Sequence, residues 1–435
     1  MRIRWVIGIM LLAITFQGSV WAQDQKEPLT LEESIKIALE RSLSLHAARE
    51  GVVGSQFRQK QAFTNFLPLW TGQYSWTGYN DPTTVGVFGA GVMAQSRDVY
   101  NFNTTAVQPL FTGGANLANY RLEKMGVELS KTDVEIFKRD IVLQVREGYY
   151  AILRAEKFQD VAEQAVKNFE AQLEVSKAFF DVGLIPKNDL LQSEVRLANG
   201  RQALVTAESN LALTKSSFNI LLRRDVNTPF QIVDILEYKP SSYRFEESLE
   251  EALRQRPEIK GAELLVSQAK EAVKIARSEY FPTISLAGSY LRLDEQPGLQ
   301  SDIRSERWSV QALASMILWN WGNTAHKIGE SKVKVTQAED GKGQLVEGII
   351  LEVKQNYLNV LQAEKNVGVS EKSIEQAEEN LRLNEERYKY QVATATDVLD
   401  AVVLLAQAKV NYYGALADFN VAKARLERSM GRMYP

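Results

Sequence analysis

Leu31-Glu32-Glu33-Ser34, Ala38-Leu39 and Phe66-Leu67-Pro68 return later in the chain as Phe245-Glu246-Glu247-Ser248, Ala252-Leu253 and Tyr280-Phe281-Pro282, at a constant interval. A second register ties Val145, Tyr149, Leu153 and Asp189 to Val353, Tyr357, Leu361 and Asp397. It runs without a gap from Phe111, paired with Trp319, to Leu222, paired with Met430. A duplication of this extent sets the architecture before any element is assigned, because one structural unit is used twice. The chain divides into a first repeat, residues 23–223, a connector, 224–244, and a second repeat, 245–435. Pro229 and Pro240 keep the connector irregular.

Each repeat reads as helix, strand, loop, strand, long helix, turn, long helix. The opening helices, Leu31 to Phe66 and Phe245 to Tyr280, start with acidic residues in the first turn, where the helix dipole favours them. The first ends at Phe66-Leu67 and the second at Tyr280-Phe281, each before a proline, which pushes the preceding residue out of helical geometry. The period then changes from 3.6 to 2. Trp70, Tyr74 and Trp76 share one face and Thr71, Gln73, Ser75 and Thr77 the other. Tyr100 and Phe102 oppose Asn101 and Asn103; Ile284, Leu286 and Tyr290 oppose Thr283, Ser285 and Ser289; Trp308 and Val310 oppose Arg307 and Ser309. Strands with one apolar and one wet face, about ten residues long and rich in aromatics, suit a tilted crossing of an outer membrane. Those ten apolar residues are the expected lipid-facing set. A water-soluble antiparallel sheet gives the same alternation. Four strands are too few to close a membrane barrel, for which about eight is the usual minimum, and open edges are not tolerated in lipid. Strands that span the membrane therefore require several chains.

The long helices carry apolar residues every seven positions. One series is Val353, Val360, Val367, Ile374, Leu381 and Tyr388, and another is Leu190, Leu197, Leu204, Leu211 and Phe218. That spacing predicts left-handed coiled-coil packing. From Gly114 to Phe180 the pattern spans roughly 100 Å at 1.5 Å per residue. The loop from Asn80 to Asp98 is longer than its counterpart, Asp294 to Glu306, and reads as a surface loop.

Composition narrows the function. Arg2 and Arg4, the apolar run from Trp5 to Phe16 and Val20-Trp21-Ala22 read as a secretory signal peptide over residues 1–22. A formal net charge of −3 argues against a nucleic-acid partner, which needs a clustered basic face. There is no cysteine, hence no thiol nucleophile, disulfide or thiolate metal site. The two histidines, His46 and His326, fall on separate helices and make no histidine zinc motif. Gly89-Ala90-Gly91 lacks the strand-then-helix context of a dinucleotide loop. Neither an enzyme nor a resident cofactor is expected.

The turns between the long helices read Phe180-Asp181-Val182-Gly183-Leu184-Ile185-Pro186 and Tyr388-Lys389-Tyr390-Gln391-Val392-Ala393-Thr394-Ala395-Thr396-Asp397-Val398-Leu399-Asp400. With the leader and the duplicated plan, the chain resembles the TolC-type outer-membrane efflux proteins over essentially its whole mature length. The resemblance implies a mainly helical fold with transmembrane strands. In a homotrimer, four strands per chain would form one twelve-stranded barrel in outer-membrane lipid, and the long helices a periplasmic α-barrel. It implies a passive exit duct of tripartite efflux or type I secretion, serving a periplasmic adaptor protein and an inner-membrane transporter of RND or ABC type. Carried over by motif, Asp397, Asp400, Tyr388 and Thr394 belong to the periplasmic aperture. The helix tips at Gly183, Leu184, Ile185, Pro186, Val392 and Ala393 belong to the adaptor-docking surface. Ala393 stands where better-known members carry a latching arginine, and Gln391 replaces a turn glycine. Asp397 and Asp189 also suit a capping position at a helix start. The competing reading is a secreted coiled-coil scaffold with no membrane channel.

Overall fold

The first repeat contains α1 (Leu31–Arg41), α2 (Leu43–Thr64), β1 (Leu69–Gly78), β2 (Thr83–Val87), β3 (Ala90–Gln95), β4 (Asp98–Thr112), α3 (Ala115–Asp181) and α4 (Lys187–Leu221). The second contains α5 (Phe245–Gln255), α6 (Pro257–Ser278), β5 (Thr283–Asp294), β6 (Arg304–Ser315), α7 (Asn323–Lys389) and α8 (Ala395–Ser429). The computed structural model describes residues 28–433 apart from 82, 88–89, 241 and 298–303; the expected leader lies outside the described residues. Paired helices match in length: 11 residues for α1 and α5, 22 for α2 and α6, 67 for α3 and α7, and 35 for α4 and α8. The duplication is therefore as regular in space as in sequence.

Each opening helix, expected to be continuous, is broken in two. Thr30 and Glu33 form a capping box on α1. Ser42 then turns extended (φ −62, ψ 124), and its hydroxyl accepts the Leu45 N–H at 3.3 Å to start α2. In the second repeat proline makes the same break. Pro257 has no N–H and crowds the preceding turn, so Arg256 is held extended at φ −71, ψ 124. Arg256 is buried, and its guanidinium reaches Glu258 at 2.8 Å and Glu352 of α7 at 2.5 Å. Arg428 of α8 reaches Glu352 at 3.2 Å and Asp140 of α3 at 2.7 Å, so this ionic cluster joins both repeats.

β1, β4, β5 and β6 form one antiparallel sheet in that order. Its register places all ten expected lipid-facing residues on a single face. Tyr74 lies opposite Phe102, Trp76 opposite Tyr100 and Tyr290 opposite Trp308, while Ile284 and Leu286 continue the row. Trp70 and Trp308 are each 77% exposed, so among the described residues nothing covers that face at its outer strands. A skipped residue in β4 between Pro109 and Phe111 bends the strand where it approaches α3. β2 and β3 pair as a separate hairpin. The stretch expected to be a surface loop thus carries strand structure of its own.

Three apolar clusters run along the helices. One surrounds Tyr149, Leu153 and Phe218, one surrounds Val353, Phe419 and Leu426, and the third, near the tips, surrounds Tyr388, Val398 and Leu399. The connector is pinned to the first cluster: the Tyr149 hydroxyl donates to the Val233 carbonyl at 2.8 Å and accepts the Val233 N–H at 3.0 Å. Burial pushes this phenol up to about 12. Among the described residues, no helix is long and apolar enough to cross a membrane.

Candidate functional site: the helix tips

Two tight turns close the long helix pairs, and they share one geometry. At the first, Gly183 takes φ +78, its N–H bonds to the Phe180 carbonyl, and the Leu184 N–H returns to Phe179 at 2.8 Å. At the second, Gln391 takes φ +61, its N–H bonds to Tyr388, and the Val392 N–H returns to Arg387 at 2.8 Å. This is a left-handed helix stop that glycine adopts without strain and glutamine does not. Val182, Leu184, Val392 and Tyr390 project from the two tips and are exposed. Ile185 is half-buried, and Ala393 packs against the tip cluster.

The expected aperture residues fall at the base of the second tip. Thr394 caps α8: its hydroxyl accepts the Asp397 N–H at 3.3 Å. Asp397 Oδ2 in turn accepts from the Thr394 N–H and hydroxyl, both at 2.8 Å. These bonds, the backbone one foremost, hold the Asp397 carboxyl below its ordinary value. The capping role read from the sequence is therefore realised at Asp397. Asp189 does stand in the first turn of α4, where the helix dipole favours it, but no side chain caps that helix, because Pro186 occupies its N-cap. A Pro N-cap offers no side-chain oxygen to bond the first-turn amides.

Tyr388 is buried where α7 meets the first repeat. Its ring lies 5.4 Å from Phe179, and its hydroxyl is 3.5 Å from Ser176 Oγ, which contacts Ser193 Oγ at 3.1 Å. Asp400 is exposed and pairs with Arg196 of α4 at 2.6 Å; next to it, Thr396 donates to Gln192 Oε1 at 2.7 Å. Arg196 and Gln192 were not singled out by sequence. The signal was nevertheless there: Gln192 and Arg196 are four apart on α4, as Thr396 and Asp400 are on α8, so each pair lies on one helix face. A groove of about 430 Å³ between α4 and α8 is lined by Gln192, Val195, Arg196, Thr396 and Leu399. Among the described residues no cluster of three metal-ligating side chains occurs.

The strands, the paired long helices and these tips have counterparts among known proteins. A model of the family described as outer membrane efflux protein matches residues 34–217 and again 248–432, once per repeat. The outer membrane efflux protein BepC of Brucella suis is 21% identical over 98% of this chain and 90% of its own length. The alkaline protease secretion protein AprF of Pseudomonas aeruginosa is 22% identical over 97% of this chain and 87% of its own. The crystal structure of the Campylobacter jejuni outer-membrane channel CmeC superposes with a TM-score of 0.79 at 15% identity, covering 98% of this chain and 94% of that one. These relatives are channel and secretion proteins, not scaffolds, which sets aside the secreted coiled-coil reading. The chain belongs to the outer membrane efflux protein family and is an outer-membrane exit duct of efflux or secretion.

Proposed function

We propose that three copies of the chain close into one passive channel, gated at the helix tips and serving a periplasmic adaptor and an inner-membrane transporter of RND or ABC type. The open sheet carries this reading. β1 and β6 are its two outer strands, each with unpaired backbone groups along one side, and its apolar face is bare. A sheet in lipid must close on itself, and three sets of four strands make a barrel of ordinary size. Trp70, Tyr74, Trp76, Tyr100, Phe102, Ile284, Leu286, Tyr290, Trp308 and Val310 would then face lipid.

At the other end the tips converge, and three copies each of Asp397 and Asp400 ring the aperture. Thr394 and Tyr388 hold α8 and α7 in place there. A carboxylate ring favours cations. Here the charge at Asp400 is countered by Arg196 within the same chain, so Arg196 tempers that preference. Gly183, Leu184, Ile185, Pro186, Val392 and Ala393 form the adaptor-docking tips. The exposed apolar Leu184 and Val392 support that use, since an interface core needs such anchors. The inner-membrane pump selects the cargo. Single-channel recording of the purified protein tests the aperture: Asp397→Ala with Asp400→Ala lowers cation selectivity and Arg196→Ala raises it. Unchanged selectivity in both variants would remove these residues from the aperture.

A further inference from the structure

The duplication supplies a template for a surface that the single chain leaves bare. Within the chain, α8 lies along α3 and is joined to it by a ladder of ion pairs. These are Asp140–Arg428 at 2.7 Å, Arg146–Glu427 at 2.6 Å, Glu147–Arg425 at 2.6 Å and Arg154–Asp418 at 3.5 Å. Val142, Tyr150 and Val161 of α3 are buried. Their counterparts on α7 are Ile350, Leu358 and Val369, and these are 37%, 49% and 71% exposed. On α4, the counterparts of Tyr413, Val421 and Arg428 are Val205, Leu213 and Ile220, also exposed. One packing arrangement thus appears once complete and once as two uncovered apolar stripes. Gly329, Gly341, Gly343 and Gly348 of α7 strengthen the point. Glycine costs a helix about 1 kcal/mol each relative to alanine, yet a Cβ at any of the four meets nothing within 4 Å.

We propose that α4 of a second copy lies on α7 as α8 lies on α3, and that this seam between chains is neutral where the seam within each chain is ionic. The inference rests on the trimer reading. The four ion pairs have as counterparts Gly348 with Ile220, Lys354 with Asn219, Gln355 with Ser217, and Gln362 with Asn210. None of these can form an ion pair. Leu358 meets Leu213 where Tyr150 and Val421 stand within the chain, so apolar packing takes over the contact. The sheet agrees. Transferring the β4–β5 register to β6 and the next copy's β1 sets Ala312 opposite Trp76 and Ala314 opposite Tyr74, small against large. Two chemistries in one ring give two responses to salt. Screening weakens the more exposed of the ion pairs inside each chain, Glu147–Arg425 and Arg154–Asp418, and leaves the contacts between chains unaffected.

The absence of native cysteine permits a clean test. In the full-length protein from outer membranes, Gln362→Cys with Asn210→Cys, treated with a short bismaleimide, yields covalent dimers and trimers on a denaturing gel. Either substitution alone, or the within-chain pair Arg154→Cys with Asp418→Cys, stays at single-chain mass. Intact trimers that remain single-chain with the 362/210 pair overturn the seam while leaving the trimer standing. A protein that is already a single chain in mild detergent before treatment overturns the trimer and the seam together. The fraction of native trimer surviving in detergent changes less than about twofold between low and high salt, whereas Gln362→Arg with Asn210→Asp makes it fall with salt. A drop of about tenfold in the native protein would contradict the neutral seam.

Discussion

Among the described residues, three other than glycine adopt a left-handed backbone: Arg223, Trp321 and Gln391. Their counterparts in the other repeat are Gly431, Gly113 and Gly183, all with positive φ. The fold therefore demands that conformation at each site, and one copy each time meets the demand with a less suited residue. Gln391→Gly should relieve roughly 0.5–1 kcal/mol at the second tip, read as slower amide exchange at Val392; Gly183→Gln should do the opposite at the first. Thr394 offers a second test at this scale. Thr394→Ala removes the cap of α8 at a cost of about 1 kcal/mol, so exchange of the Asp397 amide should speed up about fivefold. The pH dependence follows from the lowered Asp397 carboxyl. A depressed folded-state value adds stability that is present above the unfolded value, about 4, and lost as pH falls through the folded one. Protection of the Thr394 amide should hold at neutral pH and fade only below about pH 4. Of these residues Asp397 and Thr394 were legible in sequence, because a cap is a local pattern. The Arg196–Asp400 pair was not read out, because its members are far apart in the chain and only the packing of α4 on α8 joins them.

At the scale of elements, periodicity carried most of the fold. The change of period from 3.6 to 2 located β1, β4, β5 and β6, and the register confirms one apolar face. The breaks at Ser42 and Arg256 were missed, although Ser42 is a capping residue and Pro257 a helix starter; the continuous apolar pattern across them masked the stop signals. The hairpin of β2 and β3 was missed because its glycine-rich sequence reads as loop. Helix pairing depends on close approach at a few points. A Cβ at Gly200 of α4 would sit 2.7 Å from the Phe169 ring of α3, and at Gly148 of α3 it would sit 2.9 Å from the Phe218 ring of α4. Gly200→Leu should therefore force α3 and α4 apart, costing about 1–3 kcal/mol and lowering the thermal midpoint. An unchanged midpoint would mean that the two helices are not in contact there.

For the whole molecule, the duplication and the strand count act together. One unit used twice gives a chain whose two repeats are held by the ionic cluster of Arg256, Glu352, Arg428 and Asp140. Four strands give a sheet that cannot be finished by one chain in lipid. Sequence conveyed both facts, and therefore the need for further copies, but not the chemistry of the contacts between them. Native mass spectrometry of the protein extracted from outer membranes decides the matter directly. A complex of three chains is expected, dissociating to one chain on heating. A single chain recovered from the soluble periplasmic fraction would contradict the shared barrel and the duct built on it.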